Sequence, residues 1–171
     1  QSSDVGISCC VSGMQLGHTM QYFGARCNLP KLLLYALNGG RDEITGARVA
    51  PALFDDEVPE GVLQYDDVTK RFTAYMDWLA KLYVETMNCI HYSHDRFNYE
   101  ALFFALMDTD CKRLMAFGIA GLSVVADSLS AIKHAKVKMI RDEKSGLSTR
   151  FEVDGDWPAF GNDDDEVDTI A

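Results

Sequence analysis

The segment Ser8-Cys9-Cys10-Val11-Ser12 is where chemistry is easiest to place in this sequence. Neighbouring Cα atoms across a trans peptide lie about 3.8 Å apart, whereas a relaxed disulfide spans roughly 4.4–6.8 Å between its Cα atoms. Cys9 and Cys10 therefore cannot pair with each other without strain. Two adjacent sulfurs can still pass a hydrogen atom or an acyl group between them with little movement. The competing reading is that both are small buried hydrophobes, since free cysteine is among the most buried residue types. A second constellation is Cys89, His91 and His94, whose histidines have an i, i+3 helical spacing. A metal site needs three or four converging ligands, so the expectation here is no metal, with helix-end histidines satisfying backbone carbonyls. Gly118 to Gly121 faintly suggests a phosphate loop but lacks the Gly-Lys-Ser ending, and is assigned to packing. Cys27, Cys89 and Cys111 are expected to be packed thiols.

Composition narrows the classes. A chain of 171 residues, 47% hydrophobic and with four prolines, is long enough for one domain with a real core and is not disordered. The formal net charge of −10 disfavours nucleic acid and anionic membranes as partners, because both call for a basic patch. From Asp154 onward there are seven carboxylates and no Lys or Arg, read as a solvated acidic face. Five cysteines, an odd number without a secreted-scaffold spacing, fit a reducing cytoplasmic setting. No apolar run reaches membrane-spanning length, no signal peptide is visible and no internal repeat stands out. The chain starts at Gln1, and Val167 to Ala171 reads as the opening of an amphipathic helix. The expectation is an internal piece of a longer protein.

The elements that must position these residues follow from local pattern. Residues 1–8 lead out of a strand into the thiol loop, and Gly13 and Gly17 are expected to keep the following loop flexible. Met20 to Leu29 reads as a strand. Asn28 caps a short apolar helix with Pro30 in its first turn, ended by Asn38-Gly39-Gly40. Residues 41–64 form a long surface connection. Asp66 or Asp67 caps a long amphipathic helix, whose apolar positions Val68, Phe72, Tyr75, Met76, Leu79, Leu82, Tyr83 and Ile90 recur at three- and four-residue steps. A second helix is expected from Asn98 or Tyr99 to Met107. Met115 to Gly121 reads as a buried strand entering a tight turn, and Leu122 to Ala135 as a helix. Val137 to Arg141 and Ser148 to Val153 are the arms of a hairpin. Strands mixed with helices give an α/β or α+β layer architecture.

The thiol segment together with Gln21-Tyr22-Phe23-Gly24-Ala25-Arg26 resembles the pyruvate formate-lyase family of glycyl radical enzymes. Leu34 to Gly40, Met76 to Lys81, Ile90-His91-Tyr92, Gly118 to Val124, Ala126 to Lys133 and Phe160-Gly161-Asn162 carry the same likeness. It covers nearly the whole chain and breaks mainly within residues 41–64. The resemblance implies an α/β fold that is a fragment of a ten-stranded α/β barrel, with the cysteine loop inside. It makes residues 1–171 the central, thiol-bearing part of a catalytic domain. By the same resemblance, Cys10 relays a hydrogen atom to the glycyl radical and Cys9 adds to the ketone carbon of pyruvate and becomes acetylated. Arg26 holds the substrate carboxylate and Phe23 lines the substrate pocket.

The residue chemistry is compatible with those roles. A planar guanidinium grips a carboxylate better than an ammonium does. Ordinary thiolate nucleophiles need an adjacent base or cation, and none adjoins Cys9-Cys10, which favours radical chemistry on neutral thiols. In a regular strand, Phe23 and Arg26 point to opposite faces, so a twist or bulge near Gly24 is needed to bring both to one pocket. Relatives that eliminate water or an amine carry a single cysteine followed two positions later by glutamate; here Ser12 follows Cys10. The double thiol is shared with the 2-oxobutanoate formate-lyases. Gly13 stands where the family usually has proline.

The resemblance further implies coenzyme A as co-substrate, a radical S-adenosylmethionine activating enzyme as partner, a homodimer and a cytoplasmic location. It implies no metal in this part. No glycine sits in an Arg-Val-Ser-Gly-Tyr context, so the radical-bearing glycine is expected outside these residues, and the piece alone is expected to be inactive. A rival reading is a non-catalytic truncated piece that binds a partner. A thiol redox protein is disfavoured by the strained geometry of an adjacent-cysteine disulfide.

Overall fold

A computed structural model of the chain describes residues 4–8, 12–15, 18–56, 58, 60–97 and 112–171. Eleven elements are described: β1 (Val5–Ser8), β2 (Ser12–Gln15), β3 (Thr19–Asn28), α1 (Leu29–Leu37), β4 (Gly61–Val62), α2 (Tyr65–Arg96), β5 (Lys112–Ala120), α3 (Leu122–His134), β6 (Lys136–Arg141), β7 (Ser148–Asp154) and α4 (Asp165–Asp168). The mixture of helix and strand agrees with the expected α/β character. The chain divides into two compact units, Gln1–Cys27 with Lys81–Gly118, and Asn28–Ala80 with Ile119–Ala171.

The first unit holds the β1–β2 hairpin, most of the two-stranded β3–β5 sheet and the C-terminal part of α2. Gly13 is not in a flexible loop but inside β2, opposite Ile7. A strand tolerates glycine where a partner strand supplies the hydrogen bonds, and glycine alone does not make a loop. The expected helix from residue 98 to 107 lies outside the described residues.

The second unit is built on α1, α3 and the antiparallel sheet β4-β6-β7. Asn28 caps α1 as expected: its side-chain oxygen accepts from the Lys31 amide at 3.1 Å, with Pro30 in the first turn. The helix ends at Asn38, and Gly39 and Gly40 take left-handed φ values of 59° and 84°. Asn38 itself is buried, and its amide does the work of a strand neighbour. It accepts from the Ser148 amide at 2.8 Å and donates to the Ser148 carbonyl at 3.1 Å. The core is Leu32, Leu33, Ala36 and Leu37 of α1, Val125, Ala126 and Leu129 of α3, and Val137 and Met139 of β6.

The long helix α2 starts at Tyr65, so Asp66 and Asp67 fall in its first turn instead of capping it, where they complement the helix dipole. Its packed seam is Val68, Phe72, Tyr75, Leu79, Tyr83, Met87 and Ile90. Met76 and Leu82, expected on that seam, sit off it and are 36% and 42% exposed. The connection over residues 41–64 is stapled down by this helix. Buried Arg71 donates to Asp67 through Nε at 3.0 Å, and to the Asp56 carbonyl and carboxylate at 3.0 and 2.5 Å. Tyr75 donates to the Pro51 carbonyl at 2.9 Å.

Two turns of the second unit are wired alike, a short repeat that the sequence reading passed over. Arg41-Asp42-Glu43-Ile44-Thr45-Gly46 and Arg141-Asp142-Glu143-Lys144-Ser145-Gly146 share a pattern of residues. Asp42 Oδ1 accepts from the Ile44 amide at 3.1 Å, the Thr45 amide at 2.8 Å and the Thr45 hydroxyl at 2.9 Å. Asp142 Oδ1 accepts from the Lys144 amide, the Ser145 amide and the Ser145 hydroxyl at the same three distances, 3.1, 2.8 and 2.9 Å. Gly46 and Gly146 close the turns at φ 71° and 68°.

The first of these turns is also tied to α1, because Lys31 Nζ lies 2.7 Å from Asp42 and 2.6 Å from Glu43. The Lys31 hydrogen bond, followed by the Thr45 amide and hydroxyl, holds the Asp42 carboxyl well below the usual carboxylate range. Hydrogen bonds to Asp42 and then Glu43 raise Lys31 above the ordinary lysine value. The Asp42 contribution to stability is thus complete above its unfolded pKa of about 3.9 and is lost as pH falls through the lower folded value. The Lys31 contribution is complete below its unfolded value of about 10.4 and is lost as pH rises through the raised folded one. The stability difference between the parent and Lys31→Met is therefore expected to stay flat from about pH 5 to 9 and to shrink below about pH 4. Thermal midpoints of the two proteins across that range test this; a difference that grows on acidification contradicts it.

Candidate active site

The strands nearest the thiols define where the candidate site begins. β1 and β2 pair antiparallel with Val5 opposite Gln15, Gly6 opposite Met14, Ile7 opposite Gly13 and Ser8 opposite Ser12. The described strands thus run up to either side of residues 9–11, and Cys9 and Cys10 lie outside the described residues. At the other end of β2, the His18 amide donates to the Gln15 carbonyl at 3.1 Å, and the Gln15 amide to the Thr19 hydroxyl at 2.8 Å. These bonds turn the chain into β3. The Lys112 amide donates to the His18 carbonyl at 2.7 Å, anchoring the start of β5 there.

Arg26 stands on β3 and is exposed, between half-buried Ala25 and Cys27, as strand alternation requires. Phe23 occupies the same strand, and its side chain lies outside the described residues. The Cys27 thiol lies 3.6 Å from the Gly118 carbonyl of β5 and is half-buried, in keeping with the expected packed thiol. Cys89 departs from that expectation: it is exposed on α2, where its neighbours Asn88 and Met87 fall on different sides of the helix and only Met87 faces inward. Cys111 lies outside the described residues. His91 falls within α2 and not at its end, since the helix continues to Arg96. Among the described residues no group of three or more His, Cys, Asp or Glu side chains could hold a metal ion.

One residue bonded to the strand that carries Arg26 reads from sequence only as a core position. Tyr83, half-buried on α2, carries its hydroxyl to the backbone of both strands. The hydroxyl donates to the Ala25 carbonyl, lies 3.2 Å from the Gly118 carbonyl, and accepts from the Gly118 amide at 3.1 Å. Gly118 has no side chain to keep the phenol away. Its neighbour Phe117 packs edge-on against the Tyr83 ring, with centroids 5.1 Å apart and planes at 87°. The only sequence signal for this arrangement was a glycine inside an apolar strand.

Residues 9–11 fall in sequence between the paired strands β1 and β2, and Arg26 stands on β3. The chain belongs to the pyruvate formate lyase-like family, whose model matches residues 1–171. Formate acetyltransferase 1 of Escherichia coli strain K12 is 54% identical to it over 170 residues, 99% of the chain. The chain spans 22% of the length of that relative.

Proposed function

We propose that the protein to which these residues belong is a formate C-acetyltransferase, cleaving pyruvate with coenzyme A to acetyl-CoA and formate. What carries this reading is the 54% identity, sustained over 170 residues, to a protein named for that reaction. Residues 1–171 are then the thiol-bearing part of its catalytic domain, a section of a ten-stranded α/β barrel with the Cys9-Cys10 loop inside. The glycyl radical, on a glycine outside these residues, supplies the unpaired electron and is installed by a radical S-adenosylmethionine activating enzyme. The whole protein works as a cytoplasmic homodimer.

Cys10 would give its thiol hydrogen atom to the radical-bearing glycine and then take the thiol hydrogen atom of Cys9, leaving the unpaired electron on the Cys9 sulfur. A sulfur–carbon bond forms between Cys9 and the ketone carbon of pyruvate, and the bond from that carbon to the carboxylate breaks. The one-carbon fragment leaves with the unpaired electron and takes a hydrogen atom from a thiol, becoming formate. The acetyl group stays on Cys9 as a thioester until the coenzyme A thiol takes it. Arg26 seats the substrate carboxylate, a task suited to a guanidinium held on a strand, and Phe23 lines the pocket.

The test is the full-length protein, activated anaerobically and supplied with pyruvate and coenzyme A. Formate and acetyl-CoA in equal amounts are expected. The competing substrate, 2-oxobutanoate, is larger by one methylene, and a pocket shaped for pyruvate is expected to disfavour it by about tenfold in kcat/KM. A reversed preference makes the protein a 2-oxobutanoate formate-lyase; no formate from either acid overturns the assignment.

A further inference from the structure

We infer that Tyr83 is a positioning residue that sets the aim of Arg26 by fixing the peptide plane that precedes it; this rests on Arg26 holding the substrate carboxylate, as proposed above. The peptide unit between Ala25 and Arg26 is planar, so the Ala25 carbonyl and the Arg26 amide turn together. The Tyr83 hydroxyl binds the Ala25 carbonyl and is itself held by the Gly118 amide at 3.1 Å. Pinning that oxygen fixes the direction of the Arg26 N–Cα bond, and hence the starting point of a long side chain on the opposite face of β3. The ring is held in turn by Phe117 at 5.1 Å. On the same strand, the Cys27 thiol meets the Gly118 carbonyl at 3.6 Å, so the residues on both sides of Arg26 are referred to one glycine of β5, Ala25 through its carbonyl and Cys27 through its side chain.

An arginine fork recognises a carboxylate only when both donors arrive in register, and small displacements of positioning groups are felt strongly in binding. Tyr83→Phe keeps the ring and its packing and removes only the hydroxyl. In the activated full-length protein it is expected to raise KM for pyruvate about tenfold, the equivalent of one lost hydrogen bond, and to leave kcat within about twofold. Replacing Tyr83 with 4-aminophenylalanine, which restores a polar group at the ring tip, is expected to recover most of the KM.

The decisive experiment is a double-mutant cycle with Arg26→Lys. If Tyr83 acts through Arg26, Tyr83→Phe adds little to KM once Arg26 is lysine. Additive effects, or a loss confined to kcat, overturn the inference and leave the proposed reaction standing. If instead Arg26→Lys itself leaves KM for pyruvate unchanged, the role of Arg26 falls and the inference with it.

Discussion

Cys9→Ser and Cys10→Ser, each made in the full-length activated protein, are expected to reduce formate production by at least about a thousandfold, an added barrier of about 4 kcal/mol. Serine is close to cysteine in size and shape, so the change is small sterically at both positions. What it removes is the weak S–H bond. An alcohol O–H is much stronger, so hydrogen-atom exchange with a carbon-centred radical becomes steeply uphill, and a hydroxyl cannot act as the relay. Radiolabelled pyruvate is expected to leave no acetyl label at position 9 in either variant, because Cys9→Ser lacks the acceptor sulfur and Cys10→Ser cannot pass the unpaired electron to it. Cys89→Ser is the control: Cys89 is exposed on α2, and its loss is expected to leave the rate within about twofold. Formate output from Cys9→Ser or Cys10→Ser above about a hundredth of the parent rate contradicts the two-thiol mechanism.

Gly121→Ala is expected to destabilise the protein by about 3 kcal/mol, through two additive causes. Gly121 precedes α3 with φ 82°, a left-handed conformation that L side chains rarely adopt. A Cβ there would stand 2.5 Å from Pro30 Cγ and closer still to Cδ. The proline ring cannot swing away, because it belongs to the first turn of α1, held by the Asn28 cap. A fall in the thermal midpoint of roughly 6–12 °C is the expected reading. Gly146→Ala separates the two causes: its φ is 68° but a Cβ there meets nothing within 4 Å, so about 1 kcal/mol is expected. Pro30→Ala should partly rescue Gly121→Ala by removing the colliding atoms. Equal losses at Gly121 and Gly146 would show that the contact with Pro30 is immaterial.

What the sequence disclosed followed from how local each cause is. α1 was legible because its cap, its proline and its terminating glycines lie within the helix or beside it. α3 and the β6–β7 hairpin were legible from apolar periodicity and from a glycine turn. The family was legible because its motifs are contiguous, Ser8 to Ser12 and Gln21 to Arg26 above all. Non-local causes were hidden. Gly13 read as loop because its partner Ile7 is known only once β1 and β2 pair. Asn38 read as a helix terminator, while the strand residue it binds lies at Ser148. Tyr83 read as one more apolar position on a seam, since nothing near it in the chain names the backbone atoms its hydroxyl reaches. The strand that carries Arg26 was expected from aromatic content.

The twin turns at Asp42 and Asp142 have an evolutionary consequence. Their closure depends on the aspartate, the Thr or Ser three residues on, and the glycine that follows. The residue two places after the aspartate lends only its main chain. Ile44 is 82% exposed, and the equivalent Lys144 is exposed as well. Side-chain identity at these two positions is therefore free to drift, and each loop is an interchangeable cassette whose outward decoration can be rewritten, or bear a spectroscopic label, while the hairpin beneath stays shut.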